Sequence, residues 1–498
     1  MEEEREDSFT HVLKYTGVFG GVQGLGILIG LVRNKIVAYL LGTEGMGLVS
    51  LFNSTINFIS QSTNLGISFS AVRHISELFD EGDEARISHF VKVIRTWSLL
   101  TALLGMFVCV LAGPLLSNFT FSWGDHTLHF ILLAPAVGLT AIAGGETAIL
   151  KGCRRLKSLA AIQIYNIFTA LLIAVPIYYF FGQTGIVPVI VLTAFSALLL
   201  TAWYSFRLYP YSISGATGLL GEGMEMVRLG VAFVLAGILG SGAEIVIRSY
   251  LNVHGDLDVV GLYNAGFMLT VTYAGMFFSA METDYFPRLS AVAANRKAMC
   301  DTVNRQIEVS LLLVSPFLTF LIVFMPVVIP LLFTRNFLPV IGMAQVTVLS
   351  MYLKAVSLPM AYLQLAKGDS VGYLLLEGLY DVLLVVLVVF GFRHWGLLGT
   401  GIAVTLSYLV DFLIVYLYVY IRYKFSLSPS VLSLMMIQMP LGLAVYGVSL
   451  SDSSLMNWGI GLLLSVVSLS VSLYILHQKT SLWNALEENI KSRFRRHG

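Results

Sequence analysis

The chain states one pattern twice. Arg33, Gly47 and Arg73 are separated by 14 and 26 residues; Arg248, Gly261 and Arg288 are separated by 13 and 27. Lys151-Gly152 precedes Thr184-Gly185-Ile186 by 33 residues, and Lys367-Gly368 precedes Thr400-Gly401-Ile402 by the same 33. Each copy closes on a basic residue, Arg207 or Arg422. A duplication of this length constrains the fold, because both copies must share one architecture. Hydropathy says what that architecture is. Apolar runs of roughly 20 residues recur along the chain, long enough to cross a bilayer as helices. Only 12% of residues are charged and mean hydropathy is +0.81, whereas a soluble domain carries about 25% charged residues. The expectation is an all-α polytopic membrane protein of about 14 transmembrane helices. Two pseudo-symmetric six-helix lobes are followed by a C-terminal helical hairpin outside the repeat.

The boundaries follow the pattern. The N-terminal lobe is residues 1–206, a cytoplasmic linker 207–226, the C-terminal lobe 227–422, the extra hairpin 431–478 and a basic tail 479–498. The second span is expected over 46–70, with charged inner loops at 71–91 and 287–307. Orientation is read from Lys and Arg. Arg335 and Arg393 fall in outer loops, and Arg33, Lys35, Arg248 and Lys354 within spans. The remaining basic residues lie at or beyond the same ends of the spans, which places both termini in the cytoplasm. The acidic start, from Met1 to Asp7, is unlike a cleavable signal peptide. Both lobes then begin and end inside, so a parallel repeat about an axis along the membrane normal is expected, and a pathway between two lobes is how many transporters are built.

Soluble catalytic motifs are missing. The sequence has no Gly-rich phosphate loop ending in Lys-Ser or Lys-Thr, no His-Glu-x-x-His and no Gly-x-Ser-x-Gly. Cys109, Cys153 and Cys300 are scattered, without disulfide or metal spacing. No cofactor, no metal and no nucleic-acid partner are expected, and the outer loops are too short to build an extracellular enzyme site.

Chemistry therefore rests on polar groups inside spans. A cation at mid-bilayer costs roughly 2.5–3.5 kcal/mol on insertion scales. Lys354 is such a cation, and Asp381 and Asp411 are mid-span carboxylates that could pair with it or carry a coupling ion. Arg33 and Arg248 occupy equivalent places in the two copies, and Lys35 is close to Arg33. Two guanidiniums suit a diphosphate, which accepts bidentate hydrogen bonds. Glu244 lies one turn before Arg248 and so pairs with it locally. Asn53, Asn57, Gln61 and Asn64 are spaced to share one helix face, as a wet path for sugar hydroxyls requires. Each of these groups also has a plain packing role open to it: a buried ion pair, a snorkelling arginine or an interhelical hydrogen bond. Glu146, Glu282 and Asp284 lie near cytoplasmic span ends, where a carboxylate is unremarkable.

At this point the chain resembles a known family. The resemblance runs through Arg33, Lys35 and Gly42, then Glu44, Gly45 and Gly47, then Asn64 and Gly66. It continues in Val260, Gly261 and Tyr263, in Phe286, Pro287 and Ser290, and in Tyr352, Lys354 and Lys367. Over about 11–425 this order and spacing is similar to polysaccharide flippases of the multidrug/oligosaccharidyl-lipid/polysaccharide exporter superfamily, lipid III flippases among them. The resemblance implies a non-enzymatic transporter of a bacterial inner membrane. It would translocate an undecaprenyl-diphosphate-linked oligosaccharide, such as an O-antigen unit of lipopolysaccharide, by alternating access. It further implies Arg33 as a substrate contact, membrane lipid around the prenyl tail, polysaccharide assembly proteins as partners and H+ or Na+ as a coupling ion. A cation-coupled multidrug exporter of the same superfamily is the nearest alternative, and an oligosaccharide polymerase or ligase the next.

Overall fold

The computed structural model describes residues 2–121, 124–211, 219–451 and 454–479. Among these residues every regular element is helical. The chain begins with α1 (Glu2–Thr63), α2 (Ile67–Glu81), α3 (Glu84–Thr120), α4 (Thr127–Gly152), α5 (Leu156–Phe181), α6 (Ile186–Leu208) and α7 (Leu219–His254). It continues with α8 (Leu257–Phe267), which passes through a π-helical turn at Met268–Tyr273 into α9 (Ala274–Val292). The remainder is α10 (Arg296–Leu332), α11 (Ile341–Val348), α12 (Ser350–Ala366), α13 (Ser370–Tyr423), α14 (Pro429–Ser449) and α15 (Ser454–Lys479).

Nine helices among the described residues are long and apolar enough to cross a membrane. Several are far too long to cross it once. A straight helix the length of α1, 62 residues, would run about 93 Å, three times the hydrocarbon core. Glycines divide these helices. Gly42 (φ 68°, ψ −168°) breaks α1, and Gly396 (φ 56°, ψ −140°) breaks α13. Gly182 (φ 55°, ψ −132°) separates α5 from α6. Such dihedrals are open to glycine and strained for any residue with a Cβ. With these three divisions, the bent pair α11–α12 and the run from α8 to α9, the described residues form the expected 14 helical spans. It is an all-α, multi-pass membrane protein.

Two inner loops expected from the sequence are helical instead. The second span stops at Thr63, where Leu65 (φ 51°) and Gly66 (φ 73°) turn the chain left-handed. The residues that follow form α2, whose Ile67, Ala71 and Ile75 bury against Phe90, Ile94 and Ile149. The predicted loop 287–307 is the end of α9 and the start of α10. Both segments carry charges on one helix face and apolar residues on the other, a pattern that average hydropathy does not register. Residues 212–218 of the linker and 480–498 of the tail lie outside the described residues, as do the side chains of Glu282 and Asp284.

The helices pack into two compact units. The first holds Met1–Asn264 with Pro330–Phe337 and Glu377–Val385; the second holds Ala265–Ile329, Leu338–Leu376 and Val386–Gly498. In the first unit, repeat-equivalent glycines meet. A Cβ on Gly47 would lie 2.1 Å from the Leu257 carbonyl oxygen, and one on Gly261 would lie 2.0 Å from that of Thr43. Thr43 and Leu257 each stand four residues before the glycine of their own helix. The contact is therefore reciprocal, as a local twofold relation between equivalent residues produces. The Thr43 hydroxyl also donates to Asp258.

The charge most deeply fixed in the first unit is Arg95. It pairs with Glu146 at 2.9 Å, the two side chains being 9% and 4% exposed. Its other donors reach the Ser205 hydroxyl and the Tyr209 carbonyl, and Phe206 covers its face. It thus fastens α3 and α4 to the end of α6, where the linker begins. In the second unit the extra hairpin is held by polar side chains. Gln438 of α14 donates to the Ser468 carbonyl and the Ser472 hydroxyl of α15, and accepts from the Ser468 hydroxyl at 2.6 Å. Gly442 lets α14 settle on the Tyr352 ring, and Trp458 meets Phe324 edge to face.

Candidate functional site

In the first unit the polar stripe of α1 faces open space. Asn53, Asn57 and Gln61 are exposed, while Leu51, Phe52, Thr55, Ile56 and Ile59 on the other side are buried. Exposed amides at membrane depth require water, since lipid offers no partner. Asn64 lies beyond the helix end, half-buried in the turn that stops the span. The helix itself thus carries three of the row, Asn53, Asn57 and Gln61, where four were expected.

Helix α7 runs beside this stripe on small residues. Positions that a Cβ would take on Gly237 and Gly240 lie 3.2 Å from Gln61 Oε1 and 3.7 Å from Asp381 Oδ2. These glycines were not singled out in the sequence; their spacing of three is the signal that could have found them. Asp381 is 7% exposed and its Oδ2 has no hydrogen-bond partner. Glu377 and Glu244 lie within electrostatic reach of it. Farther along α7, Arg248 is engaged on both edges. It donates to Ser50 Oγ at 2.8 Å and pairs with Glu244 Oε2 at 3.1 Å. The Glu244 side chain remains 46% exposed, so one end of the pair is open.

The two cations of α1 differ. Lys35 donates to the carbonyls of Pro330 and Phe333, oxygens at and just past the end of α10. A helix end leaves its last carbonyls without intrahelical partners, and the ammonium supplies one while complementing the helix dipole. Arg33 is half-buried and, among the described residues, hydrogen-bonds the neighbouring Asn34 side chain at 3.5 Å, with Tyr178 in electrostatic reach.

In the second unit Lys354 stands between two aromatic faces. Its Nζ is 5.9 Å from the ring centroids of Phe278 and of Tyr408. A Cβ on Gly275 would lie 3.8 Å from Nζ, in ordinary contact with it. No carboxylate pairs with Lys354 among the described residues, so the charge pair expected from the sequence is absent there. Asp411, on the second half of α13, is half-buried and interacts with neighbouring groups. Among the described residues no group of three or more His, Cys, Asp and Glu side chains could hold a metal ion.

Comparison with known proteins gives the fold a context. The family model described as polysaccharide biosynthesis protein matches residues 36–342. No curated protein matches the sequence. Among solved structures, the lipid II flippase MurJ in an inward closed conformation aligns at a TM-score of 0.71 and 12% identity, covering 93% of this chain and 99% of that one. A multidrug resistance MATE family transporter of the MOP superfamily, inward-facing, aligns at 0.67 and 16%, covering 80% and 94%. A MOP superfamily transporter from Pyrococcus furiosus, described as having a binding pocket of reversed polarity, aligns at 0.58 and 15%, covering 81% and 92%. At these identities the likeness is one of fold, and the fold is that of MOP superfamily transporters.

Proposed function

The chain belongs to the polysaccharide biosynthesis protein family, and from that membership we propose that it is a flippase for a polyprenyl-diphosphate-linked oligosaccharide. Its place is the cytoplasmic membrane of a bacterium, with both termini inside, and it acts as a transporter and not as an enzyme. The oligosaccharide is a polysaccharide unit of the O-antigen kind, and polysaccharide assembly proteins receive it. The two six-span repeats, 1–206 and 227–422, alternately expose their polar faces to the two sides of the membrane. The prenyl tail stays in lipid.

Lys354 is the observation that carries the reading. An ammonium inside the membrane with no carboxylate paired to it among the described residues, set beside two rings, has its insertion cost offset when an anion arrives. A diphosphate supplies that anion. Arg33, which has no ion pair among the described residues, is the candidate anion contact of the first unit. Lys35 and Arg248 are engaged by the protein itself and hold the polar path in shape, with Ser50 and Glu244 at its wall. Asn53, Asn57 and Gln61 offer amides to sugar hydroxyls, and Asn64 terminates the row. Asp381, with an unpartnered buried oxygen, is the better placed carboxylate for a coupling H+ or Na+; Asp411 is the other.

The acidic grouping of Asp381, Glu377 and Glu244 is what a cation-coupled multidrug exporter would also need. Reconstitution separates the two. Proteoliposomes should move a fluorescent polyprenyl-diphosphate oligosaccharide from one leaflet to the other, and leave a lipophilic cationic dye where it was loaded. Dye export with no lipid translocation would overturn the flippase reading.

A further inference from the structure

The span that runs from α8 to α9 contains the one π-helical turn among the described residues, Met268–Tyr273. A π turn closes on i, i+5 hydrogen bonds and so takes up one residue more than an α turn. The faces of the span show what that residue does. Before the turn, Gly266 lies against the start of α11: a Cβ there would be 2.5 Å from Met343 Sδ and 2.8 Å from Val340 Cγ2. After the turn, the Phe278 ring faces the Lys354 ammonium at 5.9 Å, and Tyr285 donates its hydroxyl to the Pro359 carbonyl at 2.7 Å. Lys354 and Pro359 are both on α12, which continues α11. One span therefore meets one bent partner both before and after its π turn.

A continuous α-helix could not do this. It turns about 100° per residue. Tyr285 is 19 residues after Gly266 and Phe278 is 12, which would set them about 100° and about 120° away from it around the axis. With one residue taken up by the π turn, both offsets fall to about 20° or less. Thr270 holds the turn in place: it is fully buried, and its hydroxyl donates to the Gly266 carbonyl at 2.7 Å. Where the extra residue sits thus decides which way Phe278 points. While the π turn precedes Phe278, the ring is in phase with Tyr285 and covers Lys354. Once the turn has moved past Phe278, the residues it passed return to α register with Gly266 and are rotated by about 100°. Gly266 and Tyr285 keep their places. Each step exchanges an i, i+5 bond for an i, i+4 bond, so no backbone group is left open in the membrane. Gly275 lies in the rotating stretch, 3.8 Å from Nζ at its Cβ position, and has no side chain to sweep across the ammonium.

We propose that Phe278 is a lid on Lys354 and that migration of the π turn along the span lifts it. With the ring over the ammonium, the cation is held by an aromatic face of the protein itself. With the ring turned away, that side of the ammonium is open to an anion. The inference rests on the reading of Lys354 as a diphosphate contact and adds a step to it. Only the lid-off form takes the diphosphate fully, so the affinity measured is the intrinsic one reduced by the fraction of molecules with the lid off.

The test is equilibrium binding of a bare polyprenyl diphosphate to the full-length protein in nanodiscs. Deletion of Val271 removes the extra residue, keeps both faces in register and leaves the lid no second position. This variant should fold, melt no lower than the wild type and bind about tenfold more weakly. Adding Phe278→Ala to the deletion should bring affinity back to within about twofold of the wild type, because no ring is left to lift. Damaged packing would not be repaired by a second truncation. Thr270→Val, of nearly the same shape, loosens the turn and should tighten binding about threefold. The lid is overturned if the deletion variant binds like the wild type or fails to fold, or if Phe278→Ala does not repair its loss. Unchanged or weaker binding by Thr270→Val overturns it as well. Lys354→Ala separates the two readings. If that variant binds as tightly as the wild type, the diphosphate reading falls and the lid with it; if it binds weakly and the repair fails, the lid alone falls.

Discussion

Arg248 and Lys354 are both cations within the apolar spans, and their surroundings differ in kind. Arg248 turns its guanidinium onto Ser50 and Glu244 and is closed by its own helix and by α1. Lys354 has two ring faces, a glycine and no carboxylate among the described residues. The first arrangement offsets the insertion cost inside the fold. The second leaves part of it to be offset by something that arrives. The difference teaches that depth in the membrane does not by itself mark a binding residue; the state of its partners does. Arg95 extends the comparison to the engaged extreme, with a buried carboxylate, a hydroxyl, a carbonyl and a ring around one guanidinium.

The largest effect should come from the unpartnered cation. Lys354→Ala should cut lipid translocation by about 100-fold, the scale of a lost charge-assisted contact, with normal membrane insertion and a melting temperature close to the wild type. Transport at the wild-type rate would remove the contrast on which the site is argued. Arg95→Ala should do the reverse. It strands a buried Glu146, and removing one partner of a buried pair costs about 3–5 kcal/mol, read as a large drop in thermal stability and in folded yield. If Glu146→Gln in the Arg95→Ala background restores stability, the stranded charge is the cause.

Arg248→Met should fall between them. Its partner Glu244 keeps access to water, so stability should fall by about 1–2 kcal/mol and translocation by no more than about tenfold. A loss of transport equal to that of Lys354→Ala, at unchanged stability, would make Arg248 a direct contact and erase the distinction.

The smallest effect concerns a carboxylate engaged near the surface. Hydrogen bonds from the Tyr418 and Tyr423 hydroxyls, at 2.6 and 2.7 Å, and then the Gly372 N–H hold Asp369 below the usual carboxylate range. A group whose folded value is lowered contributes stability above its unfolded value, about 3.9, and loses it as pH falls through the folded one. The wild type should therefore lose melting temperature more steeply below about pH 4 than Tyr423→Phe does. Parallel profiles would show that the tyrosines do not act on this charge. The first copy of the repeat has Cys153 in the place of Asp369, so no equivalent acid sensitivity is expected there.

Much of the fold was legible in the residues, because hydropathy is local and additive along a helix. The 14 spans, the repeat and the i, i+4 row of Asn53, Asn57 and Gln61 all follow from spacing alone. The glycines at 42, 182 and 396 could be seen, although which of them break a helix depends on dihedrals that many glycines do not adopt. Asn64 lies one residue past the end of that helix because Leu65 and Gly66 turn left-handed, which the spacing of the row does not reveal. The helices over 67–81 and 287–307 were missed because their apolar residues lie on one face and average away.

Charge partnership was decided by tertiary structure. Lys35 meets carbonyls nearly 300 residues away in the chain, and Arg95 meets Glu146 after 51 residues. The sequence determined that these polar groups stand in or beside membrane-spanning helices, since the cost of burying them depends on their own chemistry. Which of them are satisfied depends on contacts between helices that no spacing rule encodes. That is why one lysine of this chain caps a helix while another stands beside two aromatic rings.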